Sequence, residues 1–151
     1  LYLLLTHPDQ LDSVRQDRSL VPQAIDEGLR RETPLTNVAR FATADVELGG
    51  HTIPEGATVG VCMGSANHDE SRWDNPEAFD IFRPQIPHIS FAAGPHVCLG
   101  MHLARLETRV ALNVVLDRLA DVALDPGDRD PHIRGMVFRS PTSLPVTFRA
   151  A

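Results

Sequence analysis

Apolar residues follow a helical period in three segments of the chain and a strand-like pattern between the second and third of these and after the third. Helical signals cover residues 8–16, 22–32 and 99–120, and the first two segments open on prolines suited to a first helical turn. Short apolar runs within residues 37–62 are separated by Gly and Pro turn signals, and two more strand-like runs, 136–138 and 144–148, predict a hairpin within residues 135–148. The pattern predicts a mainly α-helical chain with small β-sheets.

Two segments carry further structural expectations. The helix predicted over residues 99–120 is apolar around most of its circumference, which is typical of a central, buried helix. The segment 65–87 has no regular period but contains Trp73, Phe79 and Phe82. Disordered segments are poor in such aromatic residues, so we expect an ordered, irregular meander with these side chains buried.

Composition restricts the class of protein. The 151 residues are 42% hydrophobic and 23% charged, as in a single globular domain, and the formal net charge of -6 argues against a nucleic-acid partner. The early apolar run, residues 1–5, is too short to cross a membrane. Two cysteines fit a reducing cytoplasm better than a disulfide scaffold. Because the chain opens on Leu1, we expect it to be the later part of a longer protein.

Cys98 is the strongest candidate for chemistry. It follows a Gly/Pro turn and precedes a long helix, whose first, unpaired N–H groups stabilise a thiolate, the form of cysteine that binds metals. The alternative for a lone cysteine is burial in an apolar core, which we expect for Cys62 in its strand. His96, Cys98 and His102 could also bind zinc, although a structural site needs four ligands and no C-x-x-C pair is present to complete it.

Charged residues supply two further candidate groups. Glu27 and Arg30 are three residues apart and share a helix face, and Arg83 from the meander would complete a buried charge network if it reached that face. Arg40 and His96 are candidate partners for a ligand with two carboxylates. Taken singly, each of these residues is more often an ordinary surface residue.

In combination, these motifs resemble the carboxy-terminal part of a soluble bacterial cytochrome P450 monooxygenase. The family's F-x-x-G-x-H-x-C-x-G signature is matched by Phe91, Gly94, His96, Cys98 and Gly100. The E-x-x-R pair lies upstream, as in the family, and the motifs between it and the signature follow in family order. The resemblance implies the haem-thiolate portion of the P450 fold, in incomplete form.

The resemblance also implies roles for individual residues. Cys98 would ligate the iron of a non-covalent haem b and donate electron density that favours O–O cleavage, with backbone N–H groups near Gly100 tuning the sulfur. Phe91 would pack near the sulfur beside Gly94, and Arg40 and His96 would hold the haem carboxylates. Glu27, Arg30 and Arg83 would form a structural charge triad. The substrate side of the site would be lined by Leu35, Val38, Val137 and Phe138. Arg105 would belong to the surface that receives the redox partner.

The implied reaction is insertion of one oxygen atom from O2 into a small organic substrate, with electrons from a ferredoxin or similar donor. Ala92 departs from the family, which usually has Gly there. The family's oxygen-activating helix would precede Leu1, so we expect the isolated chain to be inactive. Two other functions stay open, a non-catalytic truncated remnant acting as a haem-binding or interaction module, and a small structural zinc domain.

Overall fold

The computed structural model describes residues 1–127 and 132–150, and its helices lie close to the expected segments. The short helix α1 (Tyr2–Leu5) leads into α2 (Pro8–Gln16), and a 3-10 turn (Arg18–Leu20) leads into α3 (Val21–Arg31). A single-turn helix, α4 (Met63–Ala66), precedes the meander, and α5 (Met101–Arg118) is the longest helix described.

In the described residues, six strands form three small antiparallel sheets. Strand β1 (Asn37–Phe41) pairs with β4 (Thr58–Cys62), and β2 (Val46–Leu48) pairs with β3 (His51–Ile53). The turn between β2 and β3 is Gly49-Gly50, at φ 58° and 80°, a conformation that strongly favours glycine. The third sheet joins β5 (Leu119–Leu124) to β6 (Val146–Ala150). The prediction of helices with small β-sheets is therefore confirmed.

The closing hairpin expected within residues 135–148 does not form between the two predicted runs. Strand β6 pairs with β5 instead. The first two residues of β5, Leu119 and Ala120, fall within the helix predicted over residues 99–120. The run 136–138 contributes a single bridge, from Phe138 to Leu35. The helix ends at Arg118, and the next residues pair with a distant strand instead of continuing it.

The core lies where α2, α3 and α5 meet the meander. Helix α3 has its apolar residues on one face, toward α5 and the meander. The buried residues of this core come from these four elements and from α1, namely Leu4, Leu11, Val14, Val21, Ala24, Ile25, Phe79, Ile81, Leu112 and Leu116. In the meander Trp73 and Phe79 are buried as expected, but Phe82 is wrongly predicted, since it is 57% exposed.

Helix α5 is not buried all round, contrary to the prediction. Only Leu112 and Leu116 are buried along it. A second apolar stripe, spaced by three or four residues, faces away from the core and is exposed at Leu103 (59%), Leu106 (46%), Val110 (53%) and Val114 (52%). Within residues 1–127 and 132–150, α3 packs against one side of the helix, and the opposite side has no covering element. No helix in this part of the chain is both long and apolar enough to span a membrane.

Candidate functional site

Cys98 lies at the end of a tight loop that enters α5. The Cys98 N–H donates to the Phe91 carbonyl at 2.8 Å, which closes the loop, and the Cys98 carbonyl accepts the Met101 N–H at 3.2 Å. A 3-10 turn, Gly94–His96, forms the tip, and Gly100 is the residue that caps α5. The loop thus presents the exposed Cys98 thiol at the amino end of the helix.

Two residues in this loop have left-handed backbone, Ala92 at φ 58° and Gly94 at φ 66°. A side-chain Cβ is unfavourable in that region by about 1–2 kcal/mol, whereas glycine enters it freely. The alanine in place of the family's usual glycine is therefore a locally strained residue.

We expect Gly94→Ala to destabilise the loop by about 1 kcal/mol, although the space around a Cβ there is open. Ala92→Gly removes the corresponding strain, and we expect it to be neutral or slightly stabilising once the greater freedom of glycine in the unfolded chain is counted. Urea unfolding of both variants measures the difference. Equal destabilisation by the two substitutions would contradict this account.

The surroundings of Cys98 fit a flat, largely apolar ligand with carboxylates. The two neighbouring side chains project into solvent, with Val97 48% and Leu99 100% exposed. His96 is exposed on the turn, and Arg40 is half-buried on β1, where its Nη1 donates to the Ala39 carbonyl at 2.8 Å. The hydrogen bond to Ala39 uses only Nη1 of Arg40, so the guanidinium keeps further N–H groups that could bind a ligand. An exposed cysteine between uncovered apolar side chains, with His96 two residues away, fits a haem.

The zinc alternative lacks a ligand set. In residues 1–127 and 132–150 no group of three or more His, Cys, Asp or Glu side chains is arranged to hold a metal ion. Cys62 also differs from expectation. It is exposed at the end of β4, with its Sγ 3.3 Å from Asn37 Nδ2, and is not a core residue.

Glu27, Arg30 and Arg83 lie together in a charge network beneath the loop. Arg30, with a side chain only 1% exposed, donates from Nε and Nη2 to the two Glu27 oxygens at 2.8 Å. Its remaining donors bind the carbonyls of Asn67, Pro76 and Ala78, at 2.8–2.9 Å. Arg83 Nε lies 3.3 Å from Glu27 Oε1. A buried pair with full hydrogen bonding fixes the meander on α3.

Asn67 connects this network to the cysteine loop, and the sequence reasoning assigned it no role. The side chain is 1% exposed and donates to Thr33 Oγ1 and Ser90 Oγ, both at 2.8 Å. Its Oδ1 accepts the Ile89 N–H at 3.0 Å. Ser90 Oγ in turn donates to the Leu29 carbonyl at 2.8 Å. The segment before Phe91 is therefore tied to α3, an arrangement that no local sequence pattern indicates.

The four substrate-side candidates lie on two adjoining segments. Leu35 is bridged to Phe138, and the Thr36 N–H donates to the Val137 carbonyl at 2.9 Å. Val137 and Phe138 are 45% and 77% exposed, while Leu35 and Val38 are half-buried. This pairing places the four apolar candidates on neighbouring segments, with Val137 and Phe138 exposed to solvent.

Arg105, which the resemblance assigns to a redox-partner surface, has a side chain that is 33% exposed and is already paired. Its Nε donates to Asp26 Oδ1 at 2.8 Å, and its guanidinium lies 4.7 Å from the centre of the Phe91 ring. His88 approaches the same carboxylate, with Nε2 3.6 Å from Oδ1. Partial burial would raise the pKa of Asp26, but His88 and Arg105 together outweigh it and hold that pKa below its ordinary value. Asp26 and His88 were missed because neither belongs to a recognisable motif.

Comparisons with known proteins agree with this geometry. The cytochrome P450 family model matches residues 1–146. The chain is 43% identical to the biotin biosynthesis cytochrome P450 of Bacillus subtilis (strain 168) over 146 residues, which are 96% of this chain and 36% of that protein. It is also 43% identical to the 6-deoxyerythronolide B hydroxylase of Saccharopolyspora erythraea over 147 residues, again 96% of this chain and 36% of the relative.

Solved structures give the same picture. P450BioI in complex with an acyl carrier protein ligated to hexadec-9Z-enoic acid superposes with a TM-score of 0.90 at 43% identity, over 97% of this chain and 38% of that one. Substrate-free CYP109E1 from Bacillus megaterium gives a TM-score of 0.93 at 29% identity, and the match covers 99% of this chain and 39% of that one. The chain thus spans a little over a third of the length of these relatives.

Proposed function

The chain belongs to the cytochrome P450 family of monooxygenases, and we propose that it supplies the haem-ligating part of such an enzyme. The observation that carries the proposal is the Cys98 loop, which presents an exposed thiol at the amino end of α5 between uncovered apolar side chains. A bound haem would supply the activation of O2.

The residues of this chain would bind and orient that group. Cys98 would hold the iron, and the positive end of α5 together with the nearby backbone N–H groups would stabilise the thiolate. Phe91 fixes the Cys98 N–H through its carbonyl, at 2.8 Å. Arg40 and His96 would bind the two carboxylates, because a guanidinium and an imidazole N–H are both donors suited to anionic oxygen.

We infer that substrate choice is made mainly by parts of the enzyme outside the matched segment. Relatives matched at 41–43% identity include proteins named for biotin biosynthesis, the hydroxylation of 6-deoxyerythronolide B and the dihydroxylation of vitamin D3. Since these names differ while the segment is similar, the shared segment would carry the shared chemistry. Leu35, Val38, Val137 and Phe138 would contribute one apolar wall for a small organic substrate.

The electron donor we propose is a ferredoxin or a similar carrier. The chain alone would not oxidise substrate, because the exposed apolar side chains beside Cys98, Val97 and Leu99, would leave the site open to water. The non-catalytic module remains the second candidate for the isolated chain, favoured by this same exposure.

Titration of the purified chain with hemin tests the proposal. We expect saturable binding at one haem per chain and, after reduction and addition of carbon monoxide, the absorption band characteristic of thiolate ligation. A band typical of imidazole ligation, or no binding, would overturn the proposal that this chain ligates haem through Cys98. Zinc without iron in metal analysis of the protein as isolated would favour the structural zinc domain instead.

A further inference from the structure

Four side chains from three segments meet behind the Cys98 loop. Asp26 lies on α3, His88 and Phe91 lie in the segment that enters the loop, and Arg105 lies on α5. The Arg105 Nε to Asp26 Oδ1 distance is 2.8 Å, and both side chains are about one-third exposed, at 33% and 30%. This ion pair joins the helix that begins beside Cys98 to the helix that carries Glu27.

His88 supports the same carboxylate from the other side. Its side chain is only 6% exposed. The Ser90 N–H donates to His88 Nδ1 at 3.2 Å, so Nδ1 carries a lone pair and the ring hydrogen of the neutral side chain lies on Nε2. Nε2 faces Asp26 Oδ1 at 3.6 Å, and it has no hydrogen-bond partner within the described residues. Asp26 is therefore flanked by two groups of positive potential.

Phe91 is held between these groups and the cysteine. The Arg105 guanidinium lies over its ring at 4.7 Å, and the His88 ring centre is 6.2 Å from the Phe91 ring centre. A guanidinium over an aromatic face is attracted by the ring's quadrupole, more strongly when partly withdrawn from water. The Phe91 carbonyl accepts the Cys98 N–H. A displacement of Phe91 is therefore transmitted directly to the backbone that carries the sulfur.

We propose that Arg105, anchored by Asp26 and stacked on Phe91, is a positioning residue for Cys98. Its contribution to loop geometry follows from the contacts above, whereas its effect on a bound haem rests on the function proposed for this chain. Arg105 also carries a positive charge on the helix that begins beside Cys98, and such a charge would withdraw electron density from a thiolate and so stabilise the reduced state of a bound iron.

Amide hydrogen exchange of the chain without haem tests the positioning itself. We expect Arg105→Leu to accelerate exchange of the Cys98 N–H roughly tenfold, because the ion pair and the stacking contact are lost together. Asp26→Asn should have a similar but smaller effect, and the double variant should be little worse than Arg105→Leu, since the two residues act as one unit. Arg109→Leu, at an exposed position on the same helix, is the matched control.

Conservative variants separate positioning from simple loss of stability. Arg105→Lys keeps the charge beside Asp26 but presents no planar group to Phe91, so the Cys98 amide should exchange at a rate between those of wild type and Arg105→Leu. Unchanged exchange in Arg105→Leu, or equal acceleration in Arg109→Leu, would overturn the proposal. So would acceleration that is uniform across the core amides of α3 and α5.

The haem-loaded chain gives the second readout. We expect the reduction potential of the iron to fall in Arg105→Leu and to be largely restored in Arg105→Lys, which keeps the positive charge. An identical potential in all three proteins would show that Arg105 exerts no electrostatic effect on the sulfur and would overturn that half of the proposal. If wild-type chain shows no thiolate-ligated haem, the proposed function fails, while the exchange rates of the Cys98 amide still decide the positioning role.

Discussion

Cys98→Ser is expected to abolish the thiolate signature of the haem-loaded chain completely. A serine hydroxyl occupies nearly the same position but is not ionised at neutral pH and is a poor ligand for iron, whereas the thiolate is a soft, strongly donating one. The backbone of the loop should be kept, because the Phe91–Cys98 hydrogen bond involves main-chain atoms alone. The absorption spectrum of the reduced, carbon monoxide-treated protein measures the change.

The chain contains its own control for this experiment. Cys62 is exposed like Cys98 but lies on β4, at the end of a strand and outside the loop. Cys62→Ser should retain the thiolate band with unchanged intensity. Persistence of the band in Cys98→Ser, or its loss in Cys62→Ser, would show that the ligand has been assigned to the wrong cysteine.

Arg30→Leu is expected to be the most destabilising single substitution in the charge network. It leaves Glu27, which is 6% exposed, with a single guanidinium partner and leaves the buried carbonyls of Asn67 and Pro76 without their donor, whereas the Ala78 carbonyl keeps Arg83 Nη2 at 3.3 Å. Breaking a buried pair in this way costs about 3–5 kcal/mol, a large part of the total stability of a domain this size. Thermal unfolding followed by circular dichroism should show a midpoint lowered by about 10 °C or a chain that does not fold.

The pair Asp12 and Arg15 provides the comparison. It has the same i,i+3 spacing on a helix, but its side chains are 61% and 30% exposed. Arg15→Leu should therefore change the free energy of unfolding by less than about 1 kcal/mol. The double variant Glu27→Leu with Arg30→Leu should cost less than the sum of the single changes, because the two opposite charges of one bidentate pair are removed together. Equal costs at both sites would contradict the view that burial decides the effect.

The cysteine loop and the E-x-x-R pair were predictable because their geometry is local. A helix fixes which residues three apart share a face, and a Gly/Pro turn before an apolar helical run fixes where the helix begins. The family resemblance, confirmed by the match over residues 1–146, rests on such short-range motifs in a fixed order. Burial of the Glu27–Arg30 pair could not be predicted in this way, because it depends on carbonyls of the meander more than thirty residues away.

The wrong predictions concern features that depend on contacts between distant parts of the chain. The strand β6 was paired with the wrong segment, and the exposed stripe of α5 was predicted to be buried. An apolar pattern shows that a surface favours burial, but it does not say which element covers it. Strand pairing likewise depends on which edges meet in space, and β5 and β6 are separated by more than twenty residues.

By itself, the sequence determined the helices, the loop that carries Cys98 and the family, since each follows from backbone preferences over a few neighbouring residues. Only the tertiary structure decided that Arg105 points inward to Asp26 and Phe91. Asp26 and Arg105 are 79 positions apart, and no periodicity or motif links them. Their contact arises because α3 and α5 pack together in the core that contains Ile25 and Leu112, which brings two otherwise ordinary charges within hydrogen-bond distance.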